Sequence, residues 1–295
     1  MLIAQITDIH LGFSKGGGFE DNAKRLRKTI DALLSLTPRP DIVIATGDLS
    51  DHGDLPSYKR LKRYMARLPM PVFYLMGNHD KRDVFLSLFP GTPTADGFIQ
   101  YAIDDWPLRI LVLDTLENGR HGGGFCETRA AWLEARLAEQ PDKPTLLALH
   151  HPPFDTGVEW MNIGPDEMWA KRLGEVVSRH PQVVGAICGH VHRVIISAFA
   201  GTVVRVCPST QPQVCLDLGT MDLERPDERP MIVAGPPGFG VHRWTGKALV
   251  SHYSDTDEQL KHKILARYTP KMQGFMKHLA HERAQGSGGG GGDHH

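Results

Sequence analysis

The sequence predicts an α/β fold, and three features carry the prediction. Short apolar runs of strand length alternate with stretches whose apolar residues recur at helical spacing. Five of these runs end at residues able to hold a metal or move a proton. From residue 98 onward, two pairs of strand-like runs are separated only by short turns, so hairpins join the earlier crossovers.

Taken in order, Leu2 to Thr7 is the first strand and runs into Asp8-Ile9-His10. A glycine-rich loop at Gly16 to Gly18 lacks the spacing of a phosphate-binding GxGxxG and reads as a flexible connection. Phe19, Ala23, Leu26, Ile30, Leu33 and Leu34 then mark a helix, which Thr37-Pro38-Arg39-Pro40 stops. Asp41 to Thr46 leads into Gly47-Asp48, and Leu55, Tyr58, Leu61, Met65 and Leu68 mark a second helix. Pro69 and Pro71 end that helix, and the third strand closes on Gly77-Asn78-His79-Asp80. Strand, helix, strand, helix, strand favours parallel pairing with right-handed crossovers.

Phe98 to Ile103 and Leu108 to Leu113, separated by Asp104-Asp105-Trp106-Pro107, predict a hairpin. A loop with Gly122 to Gly124 precedes a helix through Trp132, Leu133 and Leu137. Thr145 to Leu149 leads into His150-His151-Pro152-Pro153, Pro165 to His180 reads as a helix, and Val183 to Cys188 leads into Gly189-His190-Val191-His192. Val194 to Phe199 and Thr202 to Val206 predict a second hairpin around Ala200-Gly201. Residues 1–206 thus form the expected core. Residues 207–255 are rich in Pro and Gly, with strand-like pieces at Met231 to Ala234 and Ala248 to His252, and read as a cap or subunit contact outside it. A C-terminal helix is expected within 256–284. The glycine-rich tail 285–295 resembles an expression linker, so His294 and His295 are set aside.

A chain of 295 residues can enclose a large core, and a formal net charge of −1 with no long basic run gives no electrostatic support for binding nucleic acid or membranes. No stretch is long and apolar enough to span a bilayer, and the first strand begins at Leu2 where a secretory leader would stand, so a cytoplasmic protein is expected. Cys126, Cys188, Cys207 and Cys215 show no CxxC pairing and read as buried, inert thiols, although the spacing of Cys207 and Cys215 leaves a bridge between them open.

The five polar endings carry the chemistry. Each run is apolar on both faces, as in a strand buried within a sheet, and ligand sites of α/β folds form where the carboxyl ends of such strands converge. One such ending could be an ordinary Gly/Asn turn, but five together signal a metal site. Asp8, His10, Asp48, Asn78, His150, His190 and His192 are the candidate ligands. Their mix of hard oxygens and imidazoles suits Mn, Fe, Co or Zn. They are too many for one tetrahedral zinc and suit two divalent ions that share a carboxylate. No cysteine stands at a strand end, which argues against a structural thiolate site.

Asp8-Ile9-His10, Gly47-Asp48, Gly77-Asn78-His79-Asp80, His150-His151 and Gly189-His190-Val191-His192, in this order and at these intervals, resemble the signature blocks of the calcineurin-like metallophosphoesterase superfamily. The stretch from Gly47 to Gly53, the short chain and Arg193 after the last histidine are similar to its class III cyclic-nucleotide phosphodiesterases and bacterial glycerophosphodiesterases. The resemblance implies a four-layer αββα sandwich of two mixed β-sheets flanked by helices. It assigns Asp8, His10 and His192 to one metal, Asn78, His150 and His190 to the other, and Asp48 to both. It places His79 beside the metals, to hydrogen-bond a phosphoryl oxygen or protonate the departing alkoxide.

The implied activity is hydrolysis of small phosphodiesters, cyclic nucleotides or glycerophosphodiesters, by in-line attack of a metal-bridging hydroxide. The alternatives are a phosphomonoesterase or nuclease of the same superfamily, or a non-catalytic scaffold. A nucleic-acid polymer is disfavoured as partner by the absence of a basic stripe. A homo-oligomer is expected from the subgroup. Around the ligands, Asp80 either orients the His79 imidazole or caps a helix, and His151 reads as a supporting or buried histidine. Asp51 and His52 either lie in a solvated turn or touch substrate at the rim, and Arg193 either contacts phosphate or lies on the surface.

Overall fold

The apolar runs that end at polar residues become largely buried strands. A computed structural model describes residues 1–260 except 14–20, 163–166, 223, 224 and 226, together with 273 and 277. The chain opens with β1 (Leu2–Ile6), α1 (Asp21–Ser35), β2 (Ile42–Thr46), α2 (Leu55–Met65), β3 (Val72–Leu75) and α3 (Arg82–Leu88). There follow β4 (Tyr101–Ile103), β5 (Arg109–Val112), α4 (Glu127–Glu139), β6 (Thr145–Ala148), α5 (Met168–Ser178) and β7 (Val183–Cys188). The remainder comprises β8 (Ile195–Phe199), β9 (Thr202–Val206), β10 (Gln213–Val214), β11 (Ile232–Val233), β12 (Gly238–Trp244), β13 (Leu249–Asp255) and α6 (Thr256–Leu260). The glycine-rich loop Gly16 to Gly18, the start of the expected 165–180 helix, the rest of the C-terminal helix and the tail lie outside the described residues.

Two large mixed sheets result, flanked by helices. One has the order β13-β12-β1-β2-β3 and the other β4-β5-β6-β7-β9-β8. β1, β2 and β3 pair in parallel, as do β5, β6 and β7, while β4 with β5 and β8 with β9 form the expected hairpins. The period of two along a strand divides the side chains between two cores. Ile110, Val112, Leu146, Ala148 and Ile187 share one core with Ile3, Ile6, Ile44 and the buried faces of α1 and α2. Their neighbours Leu111, Leu113, Leu147, Leu149, Ala186 and Cys188 share the other with Leu133 and Leu137 of α4 and Leu173 of α5. The sheets thus pack against each other on one face and against helices on the other.

Composition places 207–255 outside the core; the structure corrects this for 238–255. β12 lies antiparallel to β1 with Leu2 opposite Arg243, and β13 pairs with β12 at the sheet edge. Phe239, Trp244 and Leu249 belong to the first core. The glycines that hid this strand permit close contact, since a Cβ on Gly238 would stand 2.8 Å from Pro208. Among the described residues of 207–255, the two-stranded β10–β11 ribbon is separate from the two large sheets. α3 carries too few residues for a periodic signal; it anchors through buried Phe85, which stacks on Phe89 at 4.4 Å. All four cysteines are free thiols, so Cys207 and Cys215 form no bridge. Among the described residues, no helix is long and apolar enough to cross a membrane.

Candidate metal centre

The five endings converge, and the backbone there is unusual. Asp8 (φ 52°), His10 (φ 44°), Asp48 (φ 47°), His190 (φ 73°) and His192 (φ 54°) all adopt the left-handed region, which costs a non-glycine residue stability and persists where surrounding structure enforces it. The enforcement is visible. The N–H groups of Ile9 and His10 both donate to the Asp48 carbonyl at 2.8 Å, and the Asp8 N–H donates to the Gly47 carbonyl at 3.1 Å. At Gly77 a Cβ would stand 2.2 Å from Asp48 Oδ1, and at Gly47 it would stand 2.4 Å from His150 Nδ1. Glycine before the polar residue is therefore required by the approach of the next loop.

Three of the candidate ligands are oriented from behind. His150 Nδ1 lies 2.8 Å from the Thr46 carbonyl, His192 Nδ1 2.9 Å from the Pro212 carbonyl, and His10 Nδ1 3.0 Å from Asp51 Oδ1. A carbonyl only accepts, so Nδ1 carries a proton in His150 and His192, and in the neutral ring Nε2 is the nitrogen left with a lone pair for a cation. Asp48 Oδ2 stands 3.6 Å from His10 Nε2 and 3.4 Å from His150 Nε2, while its Oδ1 accepts the His79 N–H. Asp8 Oδ1 lies 3.5 Å from His192 Nε2, and both Asp8 oxygens accept the His190 N–H at 3.1 Å. Asn78 Oδ1 is 3.2 Å from His150 Nε2. The structure thus brings all seven predicted residues together, with His79 beside them and its ring 4.6 Å from that of His10.

The charges interlock. Burial pushes the Asp48 carboxyl up, yet His150 and His10 hold it well below the usual range. Burial likewise opposes the charge on Asp8, which His192 and His150 hold down. Burial would neutralise His150, but Asp48 raises it to about 9; His192 rises through Asp8 in the same way. His190 and His151 are pushed well below their ordinary value, chiefly by burial and then by neighbouring imidazoles. A divalent cation is the ligand such a set fits. The buried Nε2 atoms of His10, His151 and His190 have no hydrogen-bond partner, and an unsatisfied buried nitrogen is rare. The same groups form overlapping clusters whose ligand atoms lie within 4.8 Å of one another: Asp8–His10–His192, Asp8–Asp48–His150 and His150–His151–His190.

The neighbours differ from expectation in instructive ways. Asp80 neither orients His79 nor caps α3, whose N-cap is Lys81. Its buried carboxylate accepts from Leu49 N, Ser50 N, Gly77 N and Tyr58 Oη, and so ties the Asp48 turn to the Asn78 turn. Asp51 supports His10. Arg193 donates to the Val214 carbonyl at 2.7 Å, which binds it to β10. His151 is buried with Nδ1 2.8 Å from Thr115 Oγ1. Sequence reasoning missed Thr115 and His121, whose ring lies 4.9 Å from that of His190. Both sit in the loop between β5 and α4, which carries no strand-end signal.

Fold and site together define a metal-dependent phosphoesterase class, and the chain belongs to the calcineurin-like phosphoesterase family, whose model matches residues 1–194. Among curated relatives, a probable glycerophosphodiester phosphodiesterase from Arcobacter nitrofigilis is 34% identical over 86% of this chain and 93% of its own. A probable cyclic nucleotide phosphodiesterase from Rhodopseudomonas palustris is 39% identical over 67% of this chain and 73% of its own. The fold is shared with a dimetal phosphatase from Danio rerio, at a TM-score of 0.62 and 16% identity over 86% of this chain and 96% of that one.

Proposed function

We propose that the protein is a binuclear-metal phosphodiesterase acting on small diesters, 3',5'-cyclic nucleotides or glycerophosphodiesters. Asp8, His10 and His192 would hold one ion, Asn78, His150 and His190 the other, and Asp48 both. The observation that carries this reading is Asp48 Oδ2, which faces His10 Nε2 at 3.6 Å and His150 Nε2 at 3.4 Å and so stands between the two sets. When bound, two divalent cations supply the charge that acidifies water and offsets negative charge gathering on the phosphoryl oxygens. Mn, Fe, Co and Zn all suit the donors.

The chain's own groups do the rest. His79 Nδ1 lies 2.9 Å from the Asp51 carbonyl, so Nδ1 carries a proton. To act as an acid the ring must be the imidazolium, whose Nε2–H would pass to a departing alkoxide and leave the neutral Nδ1–H tautomer. Cavities adjoin both halves of the centre. One, of about 570 Å³, reaches His10 and His192 and is walled by Phe13, Pro212 and Ile232. The other, of about 550 Å³, reaches Asn78 and His79 and includes Lys81 and Asn118. Two flanking cavities suit a phosphate carrying two organic substituents, which favours a diester over a monoester. Both substrate classes appear in the names of the relatives.

We also infer a homo-oligomer and a cytoplasmic setting. Leu216 and Leu218 are each 63% exposed beside the β10–β11 ribbon and would form a subunit contact, and four free thiols suit a reducing compartment. The test is a panel of cyclic AMP, glycerophosphodiesters and monoesters, run on apoenzyme reloaded with each metal. Faster turnover of monoesters, or no metal-dependent turnover at all, would overturn the phosphodiesterase.

A further inference from the structure

The metal site leaves unexplained a second, separate pocket at the start of α4. This cavity, of about 450 Å³, is lined by Cys126, Arg120, Arg129, Arg172 and Trp169, together with Glu117 and Glu167. That volume lies within the range of small-molecule sites. Cys126 is the N-cap residue of the 13-residue α4, where unpaired backbone N–H groups and the helix dipole favour an anion. It is partly exposed, unlike Cys188 and Cys207. Partial burial pushes its thiol up, but the Arg129 backbone and guanidinium and the Thr128 N–H outweigh this and hold it below the ordinary value.

Three guanidinium groups face two carboxylates here. Arg129 pairs with Glu117 at 2.9 Å and Arg120 with Glu167 at 3.1 Å. Arg172 donates Nη1 to the Phe125 carbonyl at 2.7 Å and, among the described residues, meets no carboxylate. Two residues that line the cavity each keep a donor without a partner. Arg129 is 2% exposed and Trp169 5% exposed, yet Arg129 Nε and Trp169 Nε1 are buried without a hydrogen-bond partner. Such donors cost stability unless something accepts from them.

We propose that Cys126 is a modification site that takes up a small anionic thiol as a mixed disulfide. The Cys126 thiol gives its proton to water, and the thiolate attacks one sulfur of a small anionic disulfide of the oxidised glutathione type. The new Cys126–sulfur bond forms as the original S–S bond breaks, and the departing thiolate carries away the electron pair and is protonated by solvent. The carboxylates of the retained half pair with Arg172 and Arg120, and the thiol is released by the reverse exchange with a reduced thiol. Thiolates at helix N-termini beside arginine react in this way, whereas buried apolar thiols do not.

The full-length protein is incubated with oxidised glutathione or with uncharged hydroxyethyl disulfide, and adducts are located by peptide mass mapping. Cys126 should react with oxidised glutathione roughly tenfold faster than Cys215, which is also partly exposed but does not line this cavity. Arg172→Gln, and separately the more exposed Arg120→Gln, should slow the oxidised glutathione reaction at Cys126 by roughly threefold or more and leave the uncharged reagent unaffected. Equal rates at Cys126 and Cys215, no adduct at Cys126, or both arginine variants reacting as wild type with both reagents would each overturn the proposal. None of these readouts depends on phosphodiesterase turnover.

Discussion

His242 should make the protein acid-labile in a way that one substitution removes. Its ring is buried between two sheet strands, with Nδ1 2.8 Å from Ser251 Oγ and Nε2 3.0 Å from Gln5 Oε1. Gln5 spends its amide on Thr46 Oγ1 and the Cys188 carbonyl, so Nε2–H must donate to Gln5 and Nδ1 must accept from Ser251. The neutral imidazole satisfies this chain completely. Burial first, then Arg205 and His252, depress its pKa to about 3 from an ordinary 6.5. The unfolded chain therefore takes up a proton as pH falls through about 6.5, while the native state refuses it until about 3. Stability is full above this window and falls within it by about 1.4 kcal/mol per pH unit. Between about pH 7.5 and pH 4.5 the loss from this residue is roughly 3 kcal/mol. His242→Gln keeps a donor and an acceptor but cannot titrate, and should cost about 1 kcal/mol at neutral pH through imperfect geometry. Urea unfolding of both proteins at the two pH values should show the variant less stable at the higher and more stable at the lower. The metal centre responds to acid equally in both, so the difference isolates position 242. Parallel stability curves would refute the reasoning.

Four further perturbations test the centre itself. Gly77→Ala drives a methyl into Asp48 Oδ1 and should abolish metal uptake, measured by metal analysis, with a stability cost of about 1–3 kcal/mol from overpacking. Asp51→Asn weakens the support of His10 and should lower metal affinity by roughly 10–100-fold in a titration. His79→Ala should retain metal and lower turnover of unactivated diesters by roughly 10²–10⁴, with a smaller penalty for a nitrophenolate leaving group; equal penalties would assign His79 to binding alone. Asp80→Ala strands four donors and should lower unfolding free energy by about 3–5 kcal/mol in denaturant titrations.

The parts of the fold that were legible are those whose partners are local or periodic. β1, β2, β3, β6 and β7 announce themselves because a strand buried on both faces must be apolar throughout, and the polar residue that follows then stands out. β12 was not legible. Its glycines, following Pro236 and Pro237, read as loop, and what makes it a strand is Leu2 opposite Arg243 and Ala4 opposite Val241, pairings with residues at the far end of the chain. A single sequence contains no term for such distant contacts. α3 fails for the opposite reason: it is local but too short for periodicity to emerge.

The same division runs through the site. Residues that would touch a metal are chemically distinctive and repeat at strand ends, so Asp8, His10, Asp48, Asn78, His150, His190 and His192 can be picked out by type. Those that aim them are ordinary: carbonyls of Thr46 and Pro212, and carboxylates of Asp51 and Asp80. Their roles arise from placement. The left-handed conformation of five of the seven points to where the stabilising energy comes from. The strain of the candidate ligands is borne by their surroundings: Gly47, Gly77 and Gly189 admit the neighbouring loop, and the Asp80 carboxylate and the shared Asp48 carbonyl then fix the turns. Because those restraints are protein–protein contacts, the geometry is set before any cation arrives. The centre is preorganised, and the loss of one glycine should harm it as much as the loss of a ligand.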